Sequence, residues 1–354
     1  MTREEAIQDI EDELKKTKYN KHTQAHIGKL KAKLANLRDE VARGSGASYG
    51  PGFNVKKSGD ATVLLVGFPS VGKSTLITKL TKADSKIGHY DFTTLNVVPG
   101  MMQYNGALIQ VLDVPGLIPG AAKGSGKGRQ VLSAVRSADL VIFVLDDMKQ
   151  LGPMRKELYN AGFRLDSHPP DVRIAKKKSG GVQVNIAVKR PKLTRETVMN
   201  VLNEFRVHNA DVMIRENIDE EQLIDSMMNN RVYVPSLAVL NKIDKIMDFS
   251  IVTRDIVKIS AEKEQYIDDL REAIWDKLKL IRIYMKRIGH EPDMEVPLIM
   301  HEGCTVMDVA RKILRGQEKY FKHARIWGPS SRFPEQKVGP EHRMKDKDII
   351  ELHA

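Results

Sequence analysis

Apolar positions along this chain follow three rhythms. In the first fifty residues Ile27, Leu30, Leu34, Leu37 and Val41 recur at alternating steps of three and four, which sets all five on one face of a helix. A shorter charged helix is expected over 3–16, with Tyr19, Asn20, Lys21 and His22 as the turn, so the pair reads as an antiparallel hairpin. Its opposite side carries Lys29, Lys31, Lys33 and Arg38 and is expected to be a basic outer side, while the apolar stripe docks on the rest of the protein. The stretch GSGASYGPG at 44–52 then predicts a linker.

The second rhythm is a set of short, mainly apolar runs at 61–66, 108–112, 140–145, 237–240 and 256–259, which read as strands of a buried sheet. The third is strict alternation at 182–188, a half-buried strand, with helices near 194–205 and 220–228. The interval 151–232 is too long for a structureless loop and is expected to be an inserted α+β domain. After Tyr284 a strand at 296–300, a helix at 305–314 and strands at 324–328 and 349–352 follow in an order that suits a β-grasp fold. The predicted segments are therefore 1–52, hairpin and linker; 53–150, first part of an α/β domain; 151–232, insert; 233–288, second part; and 289–354, β-grasp.

Composition narrows the function classes. With 41% hydrophobic and 29% charged residues the chain has the usual globular mix, which excludes wholesale disorder. One cysteine, Cys304, allows no internal disulfide and no cysteine-rich zinc site, and the ten histidines show no metal spacing. The N-terminus lacks the apolar core of a signal peptide, and no run approaches the ~20 residues that cross a bilayer, so a cytoplasmic protein without a membrane partner is expected. The net charge of +11 favours a polyanionic partner. It is concentrated in two blocks: nine Lys/Arg against two acids from Lys15 to Arg43, and seven against none from Val172 to Leu193.

The candidate chemistry begins where the run 61–66 meets Gly67, Phe68, Pro69, Ser70, Val71, Gly72, Lys73, Ser74 and Thr75. This is G-x-x-x-x-G-K-[ST] between a strand and a helix, the P-loop. Its glycines let backbone N–H groups wrap phosphates, Lys73 is expected to reach the β- and γ-phosphates, and the Ser74 hydroxyl to bind Mg²⁺. The run 237–240 ends in Asn241, Lys242, Ile243 and Asp244, an N-K-x-D pattern. The Asp244 carboxylate would accept from N1–H and the exocyclic amine of guanine, groups that adenine lacks, so GTP and GDP are the expected ligands rather than ATP. Asn241 is expected to tie this loop to the P-loop, and the stem of Lys242 to cover the base.

Three further pieces complete the order. Asp113, Val114, Pro115 and Gly116 form D-x-x-G, with Asp113 holding Mg²⁺ through water and the Gly116 amide sensing the γ-phosphate. Between P-loop and D-x-x-G lie Thr93 and Thr94; Thr94 is the chosen Mg²⁺ ligand and Thr93 the fallback. Ser260, Ala261 and Glu262 follow a strand as an S-A-E loop whose backbone would contact the guanine oxygen. After D-x-x-G, where many small GTPases carry glutamine, stands Leu117, which cannot hydrogen-bond. Either hydrolysis is slow and needs help, or another group or a monovalent cation places the water. The glycines at 116, 120, 124, 126 and 128 suit a switch ordered by γ-phosphate.

GFPSVGKST, DFTT, DVPGLIPGAAKGSGKGRQVL and NKID resemble the Obg-related GTPases. Within these the chain is similar to the developmentally regulated GTP-binding protein family over nearly its whole length, including KHTQAHIGKLKAKLANLRDEV, FRVHNADV and IWDKLKLIRIYMK. The resemblance implies an α/β P-loop GTPase domain with an N-terminal helical hairpin, an insert resembling a ribosomal-protein domain and a C-terminal TGS domain. It also implies a cytosolic GTPase linked to translation and ribosomes, with Mg²⁺ and often K⁺ dependence, and a hydrophobic residue in place of the catalytic glutamine. Ser70 departs from the asparagine that cation-dependent relatives often carry there. Two functions stay open: a GTP-hydrolysing switch on ribosomes or RNA, with the basic run 172–193 a candidate RNA face, or a nucleotide-dependent scaffold for a regulatory protein partner with incidental turnover.

Overall fold

The computed structural model describes residues 3–43, 59–81, 99–113, 136–228, 230–245, 256–316 and 318–353. The expected linker at 44–52, Thr93, Thr94, Val114, Pro115, Gly116, Leu117 and the glycine-rich stretch after them lie outside the described residues.

In chain order the elements begin with helices α1 (Arg3–Lys16) and α2 (Gln24–Arg43), strand β1 (Ala61–Val66), helix α3 (Lys73–Leu80), and strands β2 (Pro99–Tyr104), β3 (Ala107–Asp113) and β4 (Leu140–Leu145). Then come α4 (Leu151–Asn160), β5 (Phe163–Leu165), β6 (Val172–Lys176), β7 (Val182–Ile186), α5 (Arg195–Glu204), β8 (Ala210–Ile214), α6 (Glu220–Met227), β9 (Val232–Val234), β10 (Ser236–Leu240) and β11 (Ile256–Lys258). The chain closes with α7 (Ile267–Leu278), β12 (Leu280–Met285), β13 (Leu298–His301), α8 (Val306–Leu314), β14 (His323–Trp327), β15 (Gln336–Val338) and β16 (Asp348–His353).

Two compact units result: residues 1–52 with 162–233, and residues 53–161 with 234–354. In the second unit a six-stranded sheet runs β11-β10-β4-β1-β3-β2, parallel except for β2 against β3. Helices on a parallel sheet cover both faces, so its central strands need apolar residues at every position. That is why 61–66 and 140–145 carry no alternation, and every residue of β1 and β4 is buried. Helix α7 lays Ile267, Leu270, Ile274 and Leu278 into the same core, and Arg271 donates to the Lys79 carbonyl at 2.8 Å, satisfying the last turn of α3.

The C-terminal sheet runs β13-β12-β16-β14-β15 with α8 against it. Its strand β12 corrects the boundary expected at 289. Lys279 ends α7 in a left-handed conformation, φ 50°, and the chain turns at once into the new sheet. In IWDKLKLIRIYMK the helix and strand run together without glycine or proline, so the sequence carries no breaking residue at their junction. Leu280 and Ile299 enter the core of the six-stranded sheet and join the two layers. Trp327 is half-buried, with the Lys286 ammonium 5.1 Å from its ring centre.

In the first unit β6 and β7 flank β8 in a three-stranded sheet. Its inner face, with Val172, Ile174, Val182, Val184, Ile186 and Val212, packs on α5 and α6. The helices expected as a separate hairpin belong to this unit. One stripe of α2, Leu30, Leu34 and Leu37, meets Ile7, Ile10 and Leu14 of α1. A second stripe of small residues, with Ala32 and Ala35, enters the core formed by α5 and α6. A Cβ on Gly28 would stand 3.0 Å from Thr197 Cγ2 and 3.4 Å from Val201 Cγ2, so a side chain there would require those two methyl groups to give way by a few tenths of an ångström. Gln24 Nε2 and the Tyr19 hydroxyl both donate to buried Glu220, at 2.9 and 2.8 Å. The expected basic outer side is corrected by the same packing. Lys29 faces Glu204 at 3.7 Å, Lys31 faces Glu221 at 3.0 Å and Arg38 pairs with Glu11 at 2.7 Å, while Lys33 is exposed. The helix is sandwiched, so Lys31 and Arg38 neutralise carboxylates of the neighbouring helices, while Lys29 and Lys33 stay exposed.

Candidate functional site

The loop 67–72 leaves the carboxyl end of β1, a central strand with neighbours on both sides, and enters α3. In an open α/β sheet this is where a crevice forms beyond the strand ends. Gly67 is required by contact: a Cβ there would sit 2.4 Å from the Val144 carbonyl oxygen of β4. Gly72 is required twice, since its φ is +95° and a Cβ would lie 2.5 Å from Asn241 Nδ2. Ser70 also holds a positive φ, 64°. Positive φ at both Ser70 and Gly72 closes the loop tightly and turns it over the first turn of α3.

Inside this loop the half-buried Lys73 ammonium donates to the Gly67 and Phe68 carbonyls, both at 3.0 Å. Burial pulls its pKa below the usual lysine value, and the nearby Asp113 carboxylate works the other way. Asp113, at the end of β3, accepts from the Ser74 hydroxyl at 3.3 Å through Oδ2. Burial raises its pKa, with Lys73 and Ser74 opposing. Its other oxygen, Oδ1, is buried without a hydrogen-bond partner among the described residues. An orphaned carboxylate oxygen beside a serine hydroxyl is the donor set that suits a hard divalent cation or a water bound to one.

The second half of the site lies at the end of β10, two strands from β1. Asn241 is buried; its Nδ2 donates to the Val71 carbonyl at 2.9 Å and its Oδ1 accepts from the Ala261 amide at 2.9 Å. One side chain thus joins the 67–75, 241–244 and 260–262 loops. Lys242, with φ 61°, extends its ammonium to the Ser70 carbonyl at 2.6 Å and to Asp146 Oδ2 at 3.0 Å. Asp244 accepts from the buried Ser260 hydroxyl at 2.6 Å, and that bond holds its carboxyl below the usual range. Glu262 is exposed and stands 3.8 Å from Lys245. A carboxylate kept ionised at a rim of backbone amides can read the hydrogen-bond donors of a flat heterocycle.

Of the residues expected from the sequence, Gly67 to Thr75, Asp113, Asn241, Lys242, Asp244, Ser260, Ala261 and Glu262 are described, and they converge on the carboxyl ends of β1, β3, β10 and β11. The sequence reading missed Asp146. It follows β4, the strand between β1 and β10, and burial works against its charge. The bonds from Lys242 and Gln150 nonetheless hold its carboxyl below the usual range, Gln150 Nε2 donating at 2.7 Å. An acid directly after a buried strand beside the P-loop strand was the available signal.

Comparison with known proteins supplies the family. Residues 62–177 match the family described as 50S ribosome-binding GTPase, residues 179–280 the C-terminal region of that domain, and residues 281–354 the TGS domain. An uncharacterised GTP-binding protein of Methanocaldococcus jannaschii is 49% identical over 363 residues, covering 99% of this chain and 92% of its own. The developmentally-regulated GTP-binding protein 2 of Homo sapiens is 41% identical over 357 residues, with 98% of each chain covered. Among solved structures, the YchF GTPase of Schizosaccharomyces pombe has a TM-score of 0.47 at 14% identity, covering 84% of this chain and 99% of that one. With more than two-fifths of positions identical over nearly the full length of both chains, this GTP-binding P-loop protein belongs to the developmentally regulated GTP-binding protein family.

Proposed function

We propose that the protein hydrolyses GTP to GDP and phosphate as a slow switch that acts on ribosomes or RNA in translation. The observation that carries the nucleotide half is Asn241, which ties the phosphate loop to both loops that would hold the base. A ligand that spans them fastens three chain segments at once. In this reading the amides of 67–75 wrap the phosphates, and Lys73 gives up its bonds to the Gly67 and Phe68 carbonyls for phosphate oxygens. Asp244 accepts from the two guanine donors, Lys242 covers the base, and the Ala261 amide donates to the guanine oxygen. Ser74, Asp113 and Thr94 hold Mg²⁺, which when bound neutralises phosphate charge. Gly116 reads the γ-phosphate.

Leu117 leaves the attacking water without a side-chain partner at the usual position, which makes intrinsic turnover slow. A K⁺ ion is one way to compensate. The test is single-turnover hydrolysis in KCl and in NaCl, with ribosome co-sedimentation in GDP, in a non-hydrolysable GTP analogue and without nucleotide. Turnover in at least one salt and nucleotide-dependent sedimentation are expected. Tight GTP binding with no turnover in either salt would leave a nucleotide-dependent scaffold for a protein partner instead. The basic balance of +11 and the matched family's description as ribosome-binding support the ribosomal half.

A further inference from the structure

We infer that the RNA contact is the three-stranded sheet of the first unit, which grips a duplex by its phosphates through Lys176, Lys178, Lys189, Arg190 and Lys192, with Arg173 between them. The inference rests on the RNA reading above and narrows it to one surface and one form of RNA.

The two basic blocks differ in what surrounds their charges. Over 3–43 ten Lys/Arg stand among eight acids; Lys15 and Arg38 pair with Asp12 and Glu11 of that segment, and Lys29 and Lys31 with Glu204 and Glu221 of the neighbouring helices. In 172–193 there is no acid. Arg173, Lys176, Lys178, Lys189, Arg190 and Lys192 are all exposed, and none has a carboxylate partner among the described residues. The carboxylates that border the sheet are already engaged: Asp211 by Lys177 at 2.5 Å, Asp171 by Arg215 at 3.7 Å and Glu216 by His168 at 3.0 Å.

Topology spaces the free cations. Strand β6 runs antiparallel to β8 and β7 parallel to it, so Lys176 and Val182 both lie level with Ala210, while Val172 and Ile186 lie level with Ile214. Lys178, just past β6, and Lys176, on the register of the inner residues Val172 and Ile174, mark one end of the sheet, where Lys177 on the outer side is held by Asp211. Lys189, Arg190 and Lys192 follow β7 at the other end. The four steps from Ala210 to Ile214, at a rise of ~3.3 Å, put roughly 13 Å between the two levels. The face between them carries Arg173, Ala175, Gln183, Asn185, Asp211 and Met213.

That face holds no aromatic ring, so unstacked bases find no platform on it. A flat polar surface that carries Arg173, with exposed cations at both of its ends, instead suits the wide, shallow minor groove of an RNA helix, with phosphates on both borders and 2′-hydroxyls toward Gln183 and Asn185. Recognition of this kind is tolerant of sequence and steeply dependent on salt.

The test uses the full chain and an RNA duplex of about 20 base pairs, titrated at KCl concentrations from ~50 to ~200 mM. The combined variant Lys176→Ala, Lys178→Ala, Lys189→Ala, Arg190→Ala, Lys192→Ala should lose at least about tenfold in duplex affinity and show a shallower salt slope. A hairpin variant, Lys16→Ala, Lys18→Ala, Lys33→Ala, should bind as the parent does. Replacement of the four sheet lysines by arginine should also bind like the parent, which separates charge from folding. GTP affinity should be equal in all of them. Unchanged affinity and slope in the alanine variant would overturn the inference alone. So would a parent that prefers single-stranded RNA, or that binds phosphatidylserine vesicles as tightly as the duplex. A parent that binds neither ribosomes nor any RNA would remove the reading beneath it as well.

Discussion

Asn241 reaches from the end of one strand to the Val71 carbonyl on the loop after another, 170 residues earlier, with a bond of 2.9 Å. Its other amide atom accepts from Ala261 at 2.9 Å. Asn241→Ala leaves a carbonyl and an amide buried without partners, and each such group costs about 1–3 kcal/mol. Calorimetry should find GTP and GDP affinities reduced together, by roughly tenfold or more, with a lower unfolding midpoint. A loss confined to GTP would mean that the residue acts on the γ-phosphate side rather than on the shared frame.

Asp244 should decide the base. Asp244→Ala should abolish the preference for guanine over adenine nucleotides, measured by competition, with phosphate contacts intact. The pH dependence has a definite sign. The Ser260 bond depresses the carboxyl pKa, so the stabilisation it brings is present above the ordinary carboxylate value of ~3.9 and is lost as pH falls through the lower folded value. Between pH 5 and 8 guanine selectivity should therefore be flat. A fall in selectivity near pH 6 would assign base reading to another group.

Asp113 should show function set against stability. Burial raises its pKa, so its charged form is disfavoured in the fold, and that cost is present above the folded pKa and relieved as pH falls through it. Asp113→Asn should keep or raise the thermal midpoint of the nucleotide-free protein at pH 7. The same change should remove most of the Mg²⁺ dependence of GTP binding. A clearly lowered midpoint would show that the Lys73 and Ser74 contacts outweigh the burial cost.

Gly28 should hold the hairpin to the inserted domain. Gly28→Val forces side-chain atoms into Thr197 and Val201, and overpacking of this kind costs about 1–3 kcal/mol. Limited proteolysis within 3–43 should become faster while GTP affinity stays unchanged. Equal proteolysis in variant and parent would show that the interface repacks without loss.

The nucleotide site is legible in the sequence because its demands are local. A phosphate loop needs glycine at the positions of close approach, as the Val144 contact at Gly67 and the positive φ at Gly72 make plain. Buried strands of a parallel sheet need mainly apolar runs without alternation, and β1, β4 and β10 carry them along the chain. Other features required the fold. Asp146 meets Lys242 only because β4 lies between β1 and β10, and sequence distance carries no trace of that adjacency. The boundary at Lys279 was hidden because a helix and a strand abut without a breaking residue. Helix α2 displayed its apolar stripe openly, yet its second, small-residue face was legible only once α5 lay against it, since alanine and glycine serve equally in water and at a close contact. The lysines on that side read as solvent charges until packing supplied their carboxylates. Charge along a chain records how many ions there are; only tertiary neighbours decide which of them remain free for another molecule.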